Sequence, residues 1–326
     1  MTTSHRLPDF LVIGAMKAGT TTLYRDLLTC PDIFFPADKE PEALATDAVL
    51  SDSGTADYAA LFHHAAPTQR CGEASTAYTK LPDVTGVTER AKQLLGPDLK
   101  VIYIVRHPIE RTISHHYHEA SAGRAEFDIN TAVRNHPRLV DYSRYALQIT
   151  PWLETFGLAQ VHVICFEQYV KNRTDIVNRT LGFLGAATPA ARIDSGTVYN
   201  KSEGKPVDRG MMARLIQSGL YRTLVRPLLP IGIKDRMRTK LLPQAPPRPD
   251  PPTAETKAWL HEQIDPDTER FFDLIGVAAN DRWWDNHQDP TPSRDTAEST
   301  HDSRQALRGN DDETMAAHRL AGTDAV

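Results

Sequence analysis

The stretch DFLVIGAMKAGTTTLYRDL, residues 9–27, decides the fold of this chain. Its apolar start, FLVI at 10–13, predicts a buried strand that Gly14 ends. A loop containing Lys17 follows, and the three threonines at 20–22 predict the beginning of a helix. Because the loop amides and the positive end of the helix dipole converge on one place, this strand–loop–helix unit predicts an anion-binding site.

The glycine spacing of the loop approaches the GxxxxGK[ST] pattern of proteins that bind nucleoside triphosphates, and departs from it at one position. Gly14 and Gly19 match the pattern, but Thr20 occupies the place of its lysine. The lysine lies inside the loop instead, as Lys17. The unit therefore predicts a phosphate site, and a P-loop kinase with a degenerate loop remains an alternative at this point.

A second basic position follows the clearest strand of the sequence. KVIYIV at 100–105 is a continuous β-branched and aromatic run, as expected of a parallel strand buried on both faces. A kinase or GTPase needs an acidic side chain at such a strand end to hold magnesium, whereas Arg106 stands here. Pro108 predicts a helix start, and Ser114 lies two turns along that helix. Arg106 and Ser114 are candidates to clamp a second phosphate, with the positive charge supplied by the protein and no metal required.

The composition narrows the class of protein. The chain has 326 residues, a formal net charge of −5 and 40% apolar residues, which is ordinary for a globular protein. A strongly basic nucleic-acid binder is not indicated, and three scattered cysteines without a CxxC pair favour neither a disulfide scaffold nor a zinc site. No run approaches the about 18 apolar residues of a membrane span, and the first residues have no apolar signal region. We expect a cytoplasmic protein without a membrane span.

The remaining pattern predicts the fold class. VHVICF at 161–166 predicts a third buried strand, and residues 176–184 a helix closed by a glycine. A further helix candidate at 143–156 is interrupted by Pro151. Strands that alternate with helices favour an α/β fold with a central parallel β-sheet flanked by helices, and the active site at the carboxyl ends of the strands.

The chain is expected to have one main domain, at 1–287. Within it, a basic and proline-rich insertion at 222–252 is a possible lid, and its basic part, 222–240, is a possible docking surface for an acidic partner. The polar, acidic stretch at 288–326 has the composition of a disordered tail.

Five segments in order resemble the PAPS-dependent sulfotransferases, in particular the bacterial and heparan-sulfate-type branch, over residues 9 to 285. They are GAMKAGTTTL at 14–23, KEP at 39–41, GEASTAY at 72–78, IVRHPIERTISHHYH at 104–118 and YNKSEGK at 199–205. The resemblance implies a P-loop NTPase-like sulfotransferase fold. It also implies transfer of a sulfuryl group from 3′-phosphoadenosine 5′-phosphosulfate (PAPS) to an acceptor hydroxyl, with 3′,5′-ADP (PAP) as the other product.

The resemblance also implies which residues bind the donor. Those that hold the 5′-phosphosulfate are Lys17, Ala18, Gly19, Thr20, Thr21 and Thr22. By the same resemblance, Arg106 and Ser114 are expected to bind the 3′-phosphate, and Lys17 is expected also to stabilise the leaving oxygen. The YNKSEGK segment at 199–205, called the late loop here, adds the candidates Lys201, Ser202, Gly204 and Lys205.

The general base and the acceptor are less closely specified. Glu40, Glu73 and His118 are all candidates for the group that takes the proton of the acceptor hydroxyl. The family's lysine after the second glutamate is Ala74 here, and its usual proline is Thr76. A small molecule, a glycan and a carrier-bound hydroxyl all remain open as acceptors. A nucleotide-binding pseudoenzyme without a working base is the non-enzyme alternative.

Overall fold

The computed structural model describes residues 6–37, 39–190, 193 and 246–284. The chain divides into two units, 1–282 and 283–326. Of the second unit only Trp283 and Trp284 are described, with their rings edge to face. The late loop, residues 222–245 of the predicted insertion and the tail from 288 onward lie outside the described residues.

The first unit is built on a five-stranded sheet with the order β2-β3-β1-β4-β5, in which neighbouring strands are parallel. The strands are β1 (Phe10–Gly14), β2 (Ile33–Phe34), β3 (Arg70–Ala74), β4 (Lys100–Val105) and β5 (Val161–Cys165). All of β1, and β4 after its first residue, are buried. The expected parallel sheet flanked by helices is confirmed.

Helices follow most of the strands. They are α1 (Thr20–Leu27), α2 (Asp52–Ala60), α3 (Val87–Leu95), α4 (Pro108–Ser121), α5 (Ile129–Asn135), α6 (Arg138–Asp141), α7 (Tyr145–Phe156), α8 (Phe166–Lys171), α9 (Arg173–Leu184) and α10 (Ala254–Leu274). Short 3₁₀ turns lie at Ala43–Ala45, Asp47–Leu50, Thr76–Thr79, Leu158–Gln160 and Ala279–Asp281. None of the helices in the described ranges is long and apolar enough to cross a membrane.

The helix predicted at 143–156 differs from its expectation at Pro151. The proline does not interrupt α7, which begins at Tyr145 and continues through Pro151 to Phe156. Ile149 and Trp152, on either side of the proline, are buried in the core. Their packing outweighs the local cost of a proline, since tertiary burial routinely overrides helix propensity.

The strand register brings the candidate site residues to one edge of the sheet. Val12 pairs with Ala74 and Gly14 with Tyr103, while Val105 pairs with Cys165. Because carboxyl ends of parallel strands meet at one edge, the segments that follow β1, β3, β4 and β5 begin beside one another.

A buried ion pair fixes the direction of α1. Arg173 Nε lies 2.6 Å from Asp26 Oδ2, and its Nη2 lies 2.7 Å from Oδ1. The Tyr169 hydroxyl also donates to Asp26 Oδ2. The pair ties the last turn of α1 to the first residue of α9.

Candidate active site

The loop after β1 is a compact turn with an unusual backbone. Ala15 N donates to Ile104 O at 2.6 Å, and Ala18 N donates to Ala15 O at 3.1 Å. Lys17 has a φ of 70°, in the left-handed region that non-glycine residues rarely adopt. Such strain persists only where the surroundings hold it, and it concentrates at functional sites.

The N-terminus of α1 has no capping side chain of its own. Gly19 occupies the N-cap with a φ of 95° and supplies no side chain to cap the helix, and the first turn contains no acidic residue. Thr20 and Thr22 are buried, and Thr21 is half-buried. The positive end of the helix dipole at this turn is therefore not neutralised by an acidic residue of the turn itself, which favours an anion there.

Phe166, the first residue of α8, joins this loop to Arg106. A Cβ on Gly19 would lie 2.7 Å from the Phe166 ring, so the loop backbone packs directly on it. The Arg106 guanidinium lies over the same ring, 5.5 Å from its centroid. The loop and the basic strand end thus contact one aromatic side chain, which brings the two predicted phosphate positions together. No sequence motif pointed to Phe166, because the contact is made only by the fold.

The other α4 candidates lie along one face of that helix. Arg106 Nη2 donates to Glu110 Oε2 at 3.0 Å. Glu110, Ser114 and His118 follow Arg106 at four-residue intervals. The three residues therefore lie on one face of α4, and Arg106 lies just before the first turn of that helix. Ser114 is half-buried, and the His118 side chain is 45% exposed with its Nε2 4.0 Å from Glu119 Oε1.

Lys39 is a site residue that the sequence reasoning missed. Its ammonium forms an ion pair with Glu40 and lies 3.5 Å from Thr20 Oγ1, at the beginning of α1. The lysine side chain is only 15% exposed. The KEP segment at 39–41 contains this lysine next to Glu40, so the motif itself could have indicated Lys39 as a site residue.

Glu40 is an ionised carboxylate paired with Lys39, and Lys39 reaches Thr20 at the end of the loop after β1 (residues 15–19, called the donor loop after its predicted role). Its Oε2 accepts hydrogen bonds from Thr76 Oγ1 at 2.8 Å and from Thr76 N at 3.2 Å. Burial raises the pKa of Glu40, but the Lys39 charge and the hydrogen bonds from Lys39 and Thr76 outweigh it and hold that pKa below its usual value. Glu40 is therefore ionised at neutral pH and lies next to the cation that reaches Thr20.

Glu73 has a different environment. It is fully buried, and its Oε1 accepts hydrogen bonds from Ser75 Oγ at 2.6 Å and from the Tyr78 hydroxyl. The Tyr58 hydroxyl donates to Oε2. Burial raises the pKa of Glu73, and the three hydroxyls only partly offset this. Both carboxylate oxygens already have partners inside the protein.

Arg111, inside the same motif as Arg106, is wholly buried and bonded within the fold. Its Nη2 donates to Leu139 O at 2.6 Å, and its Nε donates to Ser143 Oγ at 2.5 Å. Burial lowers the pKa of Arg111 to about 10. Its guanidinium holds the segment before α7 against α4.

The described residues thus bring most of the predicted donor-site residues to one sheet edge. Lys17 to Thr22 follow β1, Arg106 follows β4, and Glu40 is tied to the segment after β3. The predicted contacts of the late loop, namely Lys201, Ser202, Gly204 and Lys205, lie outside the described residues. Among the described residues no group of three or more His, Cys, Asp or Glu side chains is arranged to hold a metal ion.

Comparison with known proteins identifies the family. Residues 8–190 match the model of the Sulfotransferase family. The chain belongs to this family. The matched residues include the loop with Lys17 to Thr22, the pair Arg106 and Ser114, and the KEP segment. The family predicted from the sequence motifs is therefore confirmed.

Curated relatives carry the same family name. Heparan sulfate glucosamine 3-O-sulfotransferase 3B1 of Mus musculus is 26% identical over 213 residues, covering 62% of this chain and 52% of the mouse protein. Bifunctional heparan sulfate N-deacetylase/N-sulfotransferase 4 of Mus musculus is 29% identical over 243 residues, covering 68% of this chain and 26% of that protein. The chain therefore spans about half the length of the first relative and about a quarter of the second.

A solved structure shares the fold. The crystal structure of a sulfotransferase from Alicyclobacillus acidocaldarius matches with a TM-score of 0.56 at 21% sequence identity, covering 84% of this chain and 98% of that chain. At this identity the likeness shows the fold, and it agrees with the predicted sulfotransferase-type α/β architecture.

Proposed function

We propose that this protein transfers a sulfuryl group from PAPS to an acceptor hydroxyl, giving a sulfate ester and 3′,5′-ADP. The observation that carries the proposal is the Phe166 ring, which contacts both Gly19 of the α1 loop and Arg106 after β4. Two cationic or amide-lined positions, joined through one side chain, suit a nucleotide with a 5′ and a 3′ anionic group. Membership of the sulfotransferase family supports the same donor.

The residues at the loop fit the 5′-phosphosulfate. The uncapped N-terminus of α1 offers backbone donors, and the first-turn hydroxyls of Thr20 to Thr22 offer more. Lys17 sits inside the loop, where its ammonium would stabilise charge on the oxygen that bridges phosphorus and sulfur. Arg106 and Ser114 would bind the 3′-phosphate from the start of α4. The positive charge of the site then comes from the chain itself.

Of the three candidate bases, Glu40 is the one we propose. In the reaction the acceptor oxygen bonds to sulfur, the bond from sulfur to the bridging oxygen breaks, and that electron pair leaves on 3′,5′-ADP. The acceptor hydroxyl gives its proton to a base, which must be ionised beforehand. Glu40 has a lowered pKa and lies beside Lys39 at the donor loop. Glu73 is enclosed by three hydroxyls, and His118 lies on the exposed side of α4.

Lys39 is proposed to act with Glu40. It touches both the Glu40 carboxylate and the hydroxyl of Thr20. An ammonium at this position keeps the base ionised and places a second positive charge, after Lys17, next to the proposed sulfuryl position. The lysine that the resembled family has after its second glutamate is Ala74 in this chain, and among the described residues Lys39 supplies a cation beside Glu40.

The acceptor proposed for first trials is a sugar hydroxyl. The first relative is named as a heparan sulfate glucosamine 3-O-sulfotransferase, and the second as a heparan sulfate N-deacetylase/N-sulfotransferase. Their similarity to this chain supports a glycan before a small-molecule or carrier-bound acceptor.

The proposal is tested by following label from [³⁵S]PAPS, with EDTA present, into a panel that contains heparan sulfate and chemically desulfated heparin. We expect transfer by the wild-type protein and a loss of about a hundredfold or more in Glu40→Gln, because the base is removed while the shape is kept. A wild-type protein that binds 3′,5′-ADP but transfers label to no acceptor would indicate the pseudoenzyme instead. Equal transfer by wild type and Glu40→Gln would contradict the assignment of the base.

A further inference from the structure

We propose that Glu73 is a positioning residue: its buried carboxylate orients two hydroxyls that fix the strained turn carrying Glu40. This inference rests on the proposed function of Glu40 as the base. It assigns to Glu73 a role other than that of general base, for which its motif made it one of three candidates.

The turn that carries Glu40 has a strained backbone. In the described ranges the non-glycine residues with positive φ are Lys17, Glu40 and Glu42, and the last two flank Pro41 with φ of 64° and 55°. Left-handed backbone is disfavoured for side chains of this kind. Two such residues within three positions are held only when neighbouring groups over-determine the turn.

The neighbouring groups come from the end of β3. Glu40 N donates to Ala74 O, Glu42 N donates to Ser75 Oγ, and Leu44 N donates to the Tyr78 hydroxyl, each at 3.0 Å. Every second amide of residues 40–44 is therefore bonded to residues 74–78. Two of these three acceptors are the side-chain hydroxyls of Ser75 and Tyr78. Each hydroxyl can accept from an amide only when its own proton is directed to another partner.

Glu73 sets the direction of both protons. The hydroxyls of Ser75 and Tyr78 donate to the same carboxylate oxygen, Oε1, which leaves their lone pairs free for the amides of Glu42 and Leu44. A hydroxyl has one proton and two acceptor lone pairs, so each can serve the carboxylate and an amide together. Such linked bonds reinforce one another in a buried site.

Tyr58 provides a built-in comparison. It donates to the other oxygen of Glu73, Oε2, and is buried like Tyr78. Its hydroxyl makes none of the amide contacts described for residues 40–44. Removing the Tyr58 hydroxyl therefore disturbs the same carboxylate without removing an acceptor from the turn.

The first experiment compares Glu73→Gln with Glu40→Gln by kcat. A glutamine at 73 keeps a carbonyl oxygen that can accept from Ser75 and Tyr78, and its amide can donate to Tyr58. We expect Glu73→Gln to retain kcat within about fivefold of wild type, while Glu40→Gln loses about a hundredfold or more. A Glu73→Gln variant that is as inactive as Glu40→Gln, with unchanged exchange of the turn amides, would make Glu73 the base and overturn the proposal.

The second experiment uses Ser75→Ala and Tyr78→Phe, with Tyr58→Phe as the matched control. Each of the first two removes one acceptor from the turn, so we expect kcat to fall about tenfold, corresponding to one hydrogen bond. The Kd for 3′,5′-ADP should stay within about twofold, since the donor loop is untouched. The acid limb of the kcat profile should move to higher pH as Glu40 loses its fixed contacts. Tyr58→Phe should change none of these, and an equal effect in all three variants would reduce Glu73 to a packing role.

The third measurement does not depend on turnover. Hydrogen exchange at the amides of Glu42 and Leu44 should quicken by about tenfold or more in Glu73→Ala and in the Ser75 and Tyr78 variants, and the amides of β4 should stay protected. Unchanged protection at these two amides contradicts the positioning role even if the wild-type protein transfers sulfate. Faster exchange in a protein without transfer supports the positioning role and counts against the proposed function alone.

Discussion

The two carboxylates near the end of β3 have opposite electrostatic environments. Lys39 and Thr76 hold the pKa of Glu40 below its usual value, whereas burial raises the pKa of Glu73. When environments push two neighbouring pKa values apart, they also separate the roles of the two groups. Here the ionised, half-buried group pairs with Lys39, which reaches Thr20, and we propose that the enclosed group holds the backbone that carries it.

The acid limb of the pH profile follows from the Lys39–Glu40 pair. As the proposed base, Glu40 can accept a proton only when it is ionised, so we expect activity to fall as the pH drops through its lowered pKa. In Lys39→Met the opposing charge is lost while burial remains, so the pKa of Glu40 rises. We expect the acid limb of kcat/KM to move up by about one pH unit or more. Lys100→Met, at the amino end of β4, is the control and should leave the limb in place; an unmoved limb in Lys39→Met would contradict the pairing.

The Arg106 guanidinium predicts selectivity for the 3′-phosphate. In Arg106→Ala we expect binding of 3′,5′-ADP to weaken by about 1.5–3 kcal/mol, the range for a hydrogen bond to a charged group. Binding of 5′-AMP, which lacks the 3′-phosphate, should change by less than about twofold. Titration calorimetry of both nucleotides measures the difference. Arg134→Ala removes an exposed arginine that lies over Trp259 and serves as the control; equal losses for both nucleotides would place Arg106 away from the 3′-phosphate.

At the scale of elements, the α1 loop is fixed by contact with α8 as well as by its own sequence. Gly19 combines a φ of 95° with a Cβ position only 2.7 Å from the Phe166 ring. Gly276 has a φ of 73°, and no atom of the described residues lies within 4 Å of its Cβ position. The two glycines therefore separate the cost of left-handed backbone from the cost of the close approach.

This difference predicts distinct results for two alanine variants. Gly276→Ala should lose about 1 kcal/mol of unfolding free energy, the cost of a side chain in left-handed backbone. Gly19→Ala should lose more, because the loop or Phe166 must also move, and should lose binding of 3′,5′-ADP as well. Urea unfolding and calorimetry measure the two effects. Equal stability losses, with nucleotide binding kept in Gly19→Ala, would contradict the role of the Phe166 contact.

The ion pair between Asp26 and Arg173 predicts a large stability effect. Both side chains are about 5% exposed, and removing one partner leaves the other charge buried. We expect Asp26→Asn to lower the free energy of unfolding by about 3–5 kcal/mol. The exposed pair of Arg134 and Glu255 should contribute less than about 1 kcal/mol, as measured in Glu255→Gln. Urea titrations that give similar small losses for both variants would contradict the anchoring of α1 by this pair.

Sequence periodicity and glycine spacing predicted the elements that build the sheet edge. The runs at 10–13, 100–105 and 161–166 became β1, β4 and β5, because continuous apolar β-branched runs favour buried parallel strands. The contact of Gly19 and Arg106 with Phe166 could not be predicted, because it joins residues far apart in the chain. The hydrogen bond from Tyr58 that helps to enclose Glu73 could not be predicted either, because the motif gives a residue's identity but not its solvent exposure.

At the scale of the whole molecule, one edge of a parallel sheet gathers the donor loop, the KEP segment and the basic end of β4. The expected parallel sheet, with the active site at the carboxyl ends of its strands, predicted this gathering. The strand order β2-β3-β1-β4-β5 explains it, since β1 lies between β3 and β4. The acceptor was less predictable because acceptor recognition has no comparable motif. The motifs on the donor side of the site were therefore sufficient to predict the family and the fold.

We infer that this site recognises the 3′-phosphate of an adenine nucleotide with charges supplied by the protein. It is tested most directly by titration calorimetry of 3′,5′-ADP with EDTA present, beside ATP with magnesium. We predict that 3′,5′-ADP binds at least about a hundredfold more tightly than magnesium ATP, and that Arg106→Ala removes most of this preference. Magnesium ATP binding as tightly as 3′,5′-ADP, or a preference unchanged in Arg106→Ala, would contradict the account.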